Sequence, residues 1–394
     1  MAPVLLLDLD GTLVDSNAAH SEAFARAAAD AGLPLPRSRF DREIGKGADL
    51  VVPDVFGDAF EADRGDALRD AVGDAFRDLA ARQTLEPFDG AGALADAART
   101  GGRRSALATS SSEDDLDVLF ESAGVDFRDR VDYVTSASEV ETSKPAPDLV
   151  RAVAAHFGVP ACACVLVGDT VYDALAARRA GAAFVGVATW TWSEDALREA
   201  GARAVYPSTA ALATDLDGAL ARALPGGALS ARAADALLAA ALDEARVALD
   251  AGDAPIGAVI GRTDGTVVAR GRNRARTGHD PLLHAETDAL HALFERVGDE
   301  PGDGLVLATT LEPCAMCLGA MAEAGLASAV YALNAPPNGA AGALDPLPSR
   351  RLPLVASWDG DGHRAASLDL LREAARQRPE GFEARLVASV ERGG

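Results

Sequence analysis

Along most of the chain, short apolar runs alternate with longer stretches of helical periodicity. Val4 to Leu9 is apolar, ends in acids and passes through a Gly turn into a helical pattern from about Ala18 to Ala31, as expected of a buried parallel strand feeding a helix. Similar runs recur at Ser105 to Ala108, Val131 to Val134, Cys164 to Val167 and Ala183 to Val187. The alternation predicts a doubly wound parallel sheet. Residues from about 16 to 86 interrupt it with Ala- and Asp-rich helical pattern and no convincing strand, which predicts a helical insert placed where a lid would go.

The stretch Arg222 to Ser230, RALPGGALS, sets Pro and two Gly between helical patterns and reads as a linker. Beyond it the pattern predicts a helix from about Ser230 to Asp250, strands near Ile256 to Arg262 and Thr266 to Arg272, and a helix from His284 to Val297. A strand from Leu305 to Thr309, a helix from Cys314 to Ala324, a strand from Ala327 to Ala332 and a last strand and helix follow. No internal repeat is present, so the second α/β unit is of different design. The expected division is 1–222, a linker at 223–229, and 230–394.

Composition narrows the function. The 394 residues suit two to three domains at roughly 150 residues each. No run of about 18 apolar residues exists to span a membrane, and Asp8 comes too early for a signal peptide, so a cytoplasmic protein is expected. A net charge of −23 argues against a general binder of nucleic acid or anionic membrane. Of 37 basic residues only Lys46 and Lys144 are lysine, so each retained lysine hints at a specific need. Four cysteines are too few for a disulfide framework, and the spacing of Cys314 and Cys317 reads as metal or redox chemistry. Cys162 and Cys164, leading into a strand, read as buried small hydrophobes.

DLDGT at Asp8 to Thr12 sets two carboxylates at the carboxyl end of the first strand, where open α/β sheets bind ligands. Phosphoryl transfer needs a carboxylate nucleophile, a second acid for the leaving group and a metal that shields the nucleophile from an anionic substrate. Thr109 and Ser110, Lys144 in SKPAPD, and Asp169 and Asp173 in VLVGDTVYD follow at later strand ends in order. Together these resemble the four motifs of the haloacid dehalogenase-like hydrolases, with a helical cap (about 16–86) of the β-phosphoglucomutase and phosphoglycolate phosphatase type. The resemblance implies a Rossmann-like domain with Asp8 as nucleophile, Asp10 as general acid/base and Thr109, Ser110 and Lys144 as phosphate ligands. It also implies Mg²⁺ at Asp8, Asp10, Asp169 and Asp173, and Asp10 favours phosphatase or phosphomutase over dehalogenase chemistry. Arg42 and Lys46 in the insert are candidate substrate contacts.

HAE at His284 to Glu286 and EPCAMC at Glu312 to Cys317 form the His-x-Glu and Pro-Cys-x-x-Cys pattern of zinc deaminases. His284, Cys314 and Cys317 offer three ligands and leave a fourth position open, as catalytic zinc requires, while Glu286 serves as proton shuttle. With PIGAVI, Asn273 in GRN, LEPCAMCLGAM and GAAGAL, residues 230–380 resemble the cytidine/deoxycytidylate deaminase superfamily, in its guanine deaminase and tRNA adenosine deaminase branch. That implies a three-layer α/β/α domain, Asn273 and the backbone at Ala285 against the base, and a homodimer through this domain. His20, His156, His279, His291 and His363 fit neither pattern and are expected to be surface or packing residues.

From Ala228 to Gly394 sixteen arginines face twenty-three acids, which disfavours RNA. Arg270, Arg272, Arg274 and Arg276 alternate so that one extended strand would set them on one face, either to hold a phosphate or as a solvated edge. The expected protein is a bifunctional hydrolase using Mg²⁺ and Zn²⁺ on a phosphate ester and an aminated heterocycle. The alternatives are a sugar phosphate or phosphoglycolate-like substrate unrelated to the deaminase, tRNA adenosine as deaminase substrate, or one half retained as a scaffold.

Overall fold

The computed structural model describes residues 1–109, 111–135, 141–298, 304–336, 339–340 and 352–392. The first sheet comprises β1 (Val4–Leu7), β2 (Arg104–Leu107), β3 (Tyr133–Val134), β4 (Cys164–Gly168), β5 (Ala183–Val187) and β6 (Ala204–Tyr206), in the order β3-β2-β1-β4-β5-β6. All pairs are parallel. β1 is Val-Leu-Leu-Leu, buried at every position, and Leu7 lies in register with Leu107 on one side and Val167 on the other. Burying each leucine is worth about 1.5–3 kcal/mol, so this run belongs at the sheet centre with helices over both faces. The chain moves outward from β1 to β2 and β3, then returns to β4. Strand order therefore reverses beside β1, and the loops diverging there open a crevice at the carboxyl ends.

Helices α1 (Asn17–Asp30), α2 (Ala48–Phe56) and α3 (Asp58–Arg82) fill the connection from β1 toward β2. Phe24, Phe40, Phe56 and Phe60 follow one another in ring contact at centroid spacings of 5.5, 6.3 and 5.0 Å, and extend the core of the first sheet into this insert. The remaining connections carry α4 (Ala91–Ala98), α5 (Glu113–Ala123), α6 (Asp148–His156), α7 (Val171–Ala180), α8 (Glu194–Ala200), α9 (Thr209–Thr214) and α10 (Leu216–Ala223). Cys162 and Cys164 are buried in the sheet core, and burial pushes the Cys162 thiol up to about 12. β6, a short edge strand of partly buried residues, lies outside the runs that periodicity identifies.

The second unit contains α11 (Ala231–Ala251), β7 (Gly257–Arg262), β8 (Val267–Arg272), α12 (Ala285–Val297), β9 (Leu305–Leu311), α13 (Ala315–Glu323), β10 (Ser328–Leu333), β11 (Leu354–Ser357), α14 (His363–Gln377) and α15 (Phe382–Arg392). Its sheet runs β11-β10-β9-β7-β8, with β7 antiparallel to both neighbours and β9, β10 and β11 parallel. Alternate residues serve two cores. Val259, Val306, Ala308 and Val330 pack in one with Leu237 and Leu238 of α11, whereas Ala258, Ile260, Leu307 and Ala329 pack in the other with Leu293 of α12 and Met321 of α13. Period-two alternation with both faces buried makes the three-layer α/β/α domain.

The first of these cores is continuous with that of the first sheet. A Cβ on Gly181 would lie 2.1 Å from the carbonyl oxygen of Val355, and one on Gly226 would lie 2.3 Å from Cα of Gly304. Arg203 donates to the carbonyl of Leu352 at 2.8 Å. RALPGGALS thus joins two units that are packed together over an apolar face.

Candidate active sites

At the crevice beside β1, Asp8 caps the strand with its N–H donated to the carbonyl of Val167 at 2.9 Å. Lys144 Nζ donates to Asp8 at 2.5 Å and to Asp173 at 2.8 Å, and all three side chains are buried. Thr12 Oγ1 lies 3.3 Å from Asp8 and 3.4 Å from Asp169, and Asn17 donates to Asp169 at 2.8 Å. Asp173 is held by a capping box at the start of α7, where it accepts from the N–H and hydroxyl of Thr170 at 3.0 and 2.6 Å. Gly11 makes the turn at φ +77°, and a Cβ there would lie 2.1 Å from Asn17 Nδ2 and 2.4 Å from Asp169.

Oxygens of Asp8, Asp169 and Asp173 lie within 4.8 Å of one another against a single lysine. Burial, partly offset by Lys144, pushes the Asp8 carboxyl up to about 7. Burial and the charges of Asp8 and Asp173 raise Asp169 well above the carboxylate range, and Oδ1 of Asn17 is buried with no partner. Excess buried carboxylate beside an orphaned amide oxygen fits a divalent cation.

The side chain of Asp10 is not one of that trio. Its carboxylate turns away to accept from Ser16 Oγ at 2.5 Å and to pair with His20 Nε2 at 2.9 Å. Burial works to raise Asp10, but the charge and hydrogen bond of His20 and the hydroxyl of Ser16 hold it below its usual range; the reciprocal pairing raises His20 despite burial. The His20 ring stacks on Phe76 of α3 at 4.0 Å. His20 is therefore a site residue, against the expectation of a surface or packing histidine. Its only sequence signal is a polar stripe, Ser16, Asn17 and His20, on one face of an otherwise Ala-rich helix.

A cavity of about 310 Å³ lies under the helical insert, lined by Asp8, Asp10, His20, Lys46, Thr109 and Lys144, with Arg69 of α3 and Ser111 also on its wall. Thr109 donates its N–H to Thr135 Oγ1 at 3.1 Å and accepts at its own hydroxyl from the N–H of Ser111 at 3.1 Å. Ser110 lies outside the described residues. Lys46 donates to Glu43 and Asp54 at 2.6 and 2.7 Å and sits 4.8 Å over the Tyr172 ring. Arg42 stands apart from this lining, its guanidinium 6.0 Å over Trp192 and its carbonyl accepting from Tyr172.

In the second unit His284 is the N-cap of α12 and Cys314 that of α13, with Cys317 one turn on. Nδ1 of His284 lies 3.7 and 3.5 Å from the two sulfurs, which are 3.6 Å apart. A tetrahedral zinc with bonds of about 2.0–2.3 Å sets its donors about 3.3–3.8 Å apart, so the trio fits that ion. A hydrogen bond from Cys317, then one with His284, lowers the Cys314 thiol to about 4, while that same bond and burial raise Cys317. Glu286, buried and raised by that burial, reaches to 3.5 Å from Cys317 Sγ.

The adjoining cavity of about 360 Å³ is lined by His284, Glu286, Cys314, Asn273, Arg276 and Phe382, among others. Asn273 is buried, and its Oδ1 accepts from the N–H of Ala275 at 3.2 Å. Ala285 is buried at the start of α12, where a Cβ on Gly271 would lie 2.5 Å from its carbonyl oxygen. The arginine row does not share one strand face, because β8 ends at Arg272. Arg270 and Arg272 lie 3.4 and 3.8 Å from Glu244, Arg274 pairs with Asp288 at 2.5 Å, and Arg276 with buried Glu383 of α15 at 2.5 Å.

The family description "haloacid dehalogenase-like hydrolase" matches residues 3–181, and "cytidine and deoxycytidylate deaminase zinc-binding region" matches 232–333. A phosphoglycolate phosphatase of Rhodospirillum rubrum is 31% identical over 220 residues, covering 54% of this chain and 90% of that protein. The chain belongs to the haloacid dehalogenase-like hydrolases and carries a cytidine/deoxycytidylate deaminase domain. Among solved structures, a hydrolase from Pseudomonas syringae superposes on this hydrolase half with a TM-score of 0.51 at 27% identity, covering 55% of this chain and 99% of that one. Through the deaminase domain, a tRNA-specific adenosine deaminase of Agrobacterium fabrum is 41% identical over 99 residues, covering 25% of this chain and 64% of that protein. A guanine deaminase of Bacillus subtilis is 41% identical over 78 residues, covering 20% of this chain and 49% of that protein. The chain spans less than two thirds of the length of each of these deaminases, and 25% of a tRNA(Ile)-lysidine synthase of Deinococcus deserti. The two matched stretches hold the Asp8, Asp169 and Asp173 cluster and the His284, Cys314 and Cys317 cluster respectively, residues that could hold Mg²⁺ and Zn²⁺.

Proposed function

We propose that both sites work, making the chain a bifunctional hydrolase of small molecules with a phosphatase at 1–222 and a deaminase at 230–394. The observation that carries this is that each cavity opens onto its own donor trio, through Asp8 in one and through His284 and Cys314 in the other, and is lined by its own proton-transfer carboxylate, Asp10 or Glu286.

In the first site Asp8 attacks phosphorus and forms an aspartyl phosphate. Lys144 and Thr109 hold the phosphate oxygens, and Asp10 hands a proton to the leaving oxygen and later takes one from water. His20, hydrogen-bonded to Asp10, keeps that proton at hand through neutral pH. Mg²⁺ at Asp8, Asp169 and Asp173 would screen the meeting of two anions. In the second site Glu286 moves a proton from the attacking water to the departing amine, and Asn273 orients the ring. Zn²⁺ at His284, Cys314 and Cys317 would lower the pKa of that water to about 7.

The substrate of the second site is a free base, nucleoside or nucleotide. Phe382 and the Arg276–Glu383 pair close one wall with α15, leaving a cavity of about 360 Å³ with room for a small molecule, and the acidic composition disfavours a phosphate backbone. A panel of nucleotides, nucleosides, bases and sugar phosphates, assayed with the full chain for phosphate and ammonia, tests the reading. Asp8→Asn should abolish phosphate release and leave ammonia release within about tenfold. Glu286→Ala should do the reverse. Retention of either activity in its own variant removes that site from the proposal.

A further inference from the structure

A third group of ligand-type side chains lies away from both sites. Asp235 of α11, Asp361 and His363 bring one carboxylate or imidazole atom each to within 4.8 Å of one another. His363, the first residue of α14, is 6% exposed, and its Nε2 is buried with no hydrogen-bond partner, 3.4 Å from Asp235 Oδ1. Asp235 is itself fixed, since Oδ1 accepts from the indole N–H of Trp358 at 2.7 Å. The turn between them is pressed onto α11: a Cβ on Gly360 would lie 2.6 Å from Asp235 Oδ1, and Gly362 takes φ +71°. Asp361 is exposed and leaves one side open to solvent.

A buried imidazole nitrogen without a partner is costly, because desolvation is not compensated by a hydrogen bond. Packing alone would place an apolar residue there. Two carboxylates beside that nitrogen supply an NO₂ donor set, which suits a borderline divalent ion such as zinc, nickel, cobalt or manganese better than magnesium, which prefers oxygen alone. We propose that Asp235, Asp361 and His363 form a third metal site, for a divalent transition ion, fastening the start of α14 to α11. The ion completes its coordination with water on the exposed side. This site stands independently of both catalytic readings, since none of its ligands lines either cavity.

Trp358 supplies a built-in reporter, because a metal at Asp235 sits beside its indole. The full chain, loaded with Mg²⁺ and its first equivalent of zinc, is titrated with Zn²⁺ and followed by metal content after gel filtration, then with Ni²⁺ and followed by tryptophan fluorescence. The expected result is one further equivalent of zinc and saturable quenching by nickel, both weakened at least tenfold in His363→Ala and in Asp361→Asn. Asp361 is exposed, so its isosteric amide tests the site even where His363→Ala fails to fold. Asp361→Asn should leave phosphate and ammonia release unchanged, and His279→Ala should keep the extra equivalent. Equal metal content and equal quenching in the parent and Asp361→Asn would overturn the site.

Discussion

At the scale of single residues, chemistry here depends on which partner each ionisable group meets. Burial opposes the charge on His20, yet the pairing with Asp10 raises it and holds Asp10 low. A group with a raised pKa keeps its proton until the pH climbs past it, so the pair still carries one near neutrality. In His20→Gln only Asp10 can carry it, and the alkaline limb of kcat/KM for phosphate release should move to lower pH, toward the carboxylate range. An unmoved limb would show that the proton comes from elsewhere. Glu286 reaches Cys317 but is no member of the donor trio, so Glu286→Ala should keep about one zinc per chain while ammonia release is lost. Zinc content at background level would make it a ligand.

At the scale of elements, the sites are assembled from strand ends and helix caps. The turn after β1 works because Gly11 allows both the left-handed backbone and close approach of Asn17 and Asp169. Gly11→Ala should cost about 1–3 kcal/mol in urea unfolding and raise the Mg²⁺ concentration needed for half-maximal phosphatase rate. A parent-like magnesium titration would mean the turn does not shape the cation site. His284 and Cys314 each stand at a helix N-cap, where unpaired N–H groups favour the thiolate, and both line one cavity.

At the scale of the whole molecule, the apolar face shared between the two sheets couples the halves. Removing zinc takes away a clamp between α12 and α13, on the face of the second sheet opposite the shared core, and the sheet between them passes that loss on. Cys317→Ser should therefore lower the melting temperature of the full chain in one calorimetric transition. Two transitions, with the magnesium-dependent half melting at the parent temperature, would show that the shared face does not unite them.

The sequence by itself determined the doubly wound sheet, the three-layer second unit and the two sets of motif residues. Burial periodicity and ligand spacing are local: Asp8 and Asp10 are two residues apart at a strand end, and Cys314 and Cys317 one helical turn apart. Only the tertiary structure decided that Asp10 turns from the cation cluster to His20, that the arginine row scatters over three acidic partners, and that Arg276 and Phe382 wall the deaminase cavity. It also decided that RALPGGALS joins packed units. These pairings link residues far apart in the chain, such as Arg276 with Glu383, or set a side chain's direction within one helix turn, and hydrophobic pattern records which face is buried but not which partner waits there.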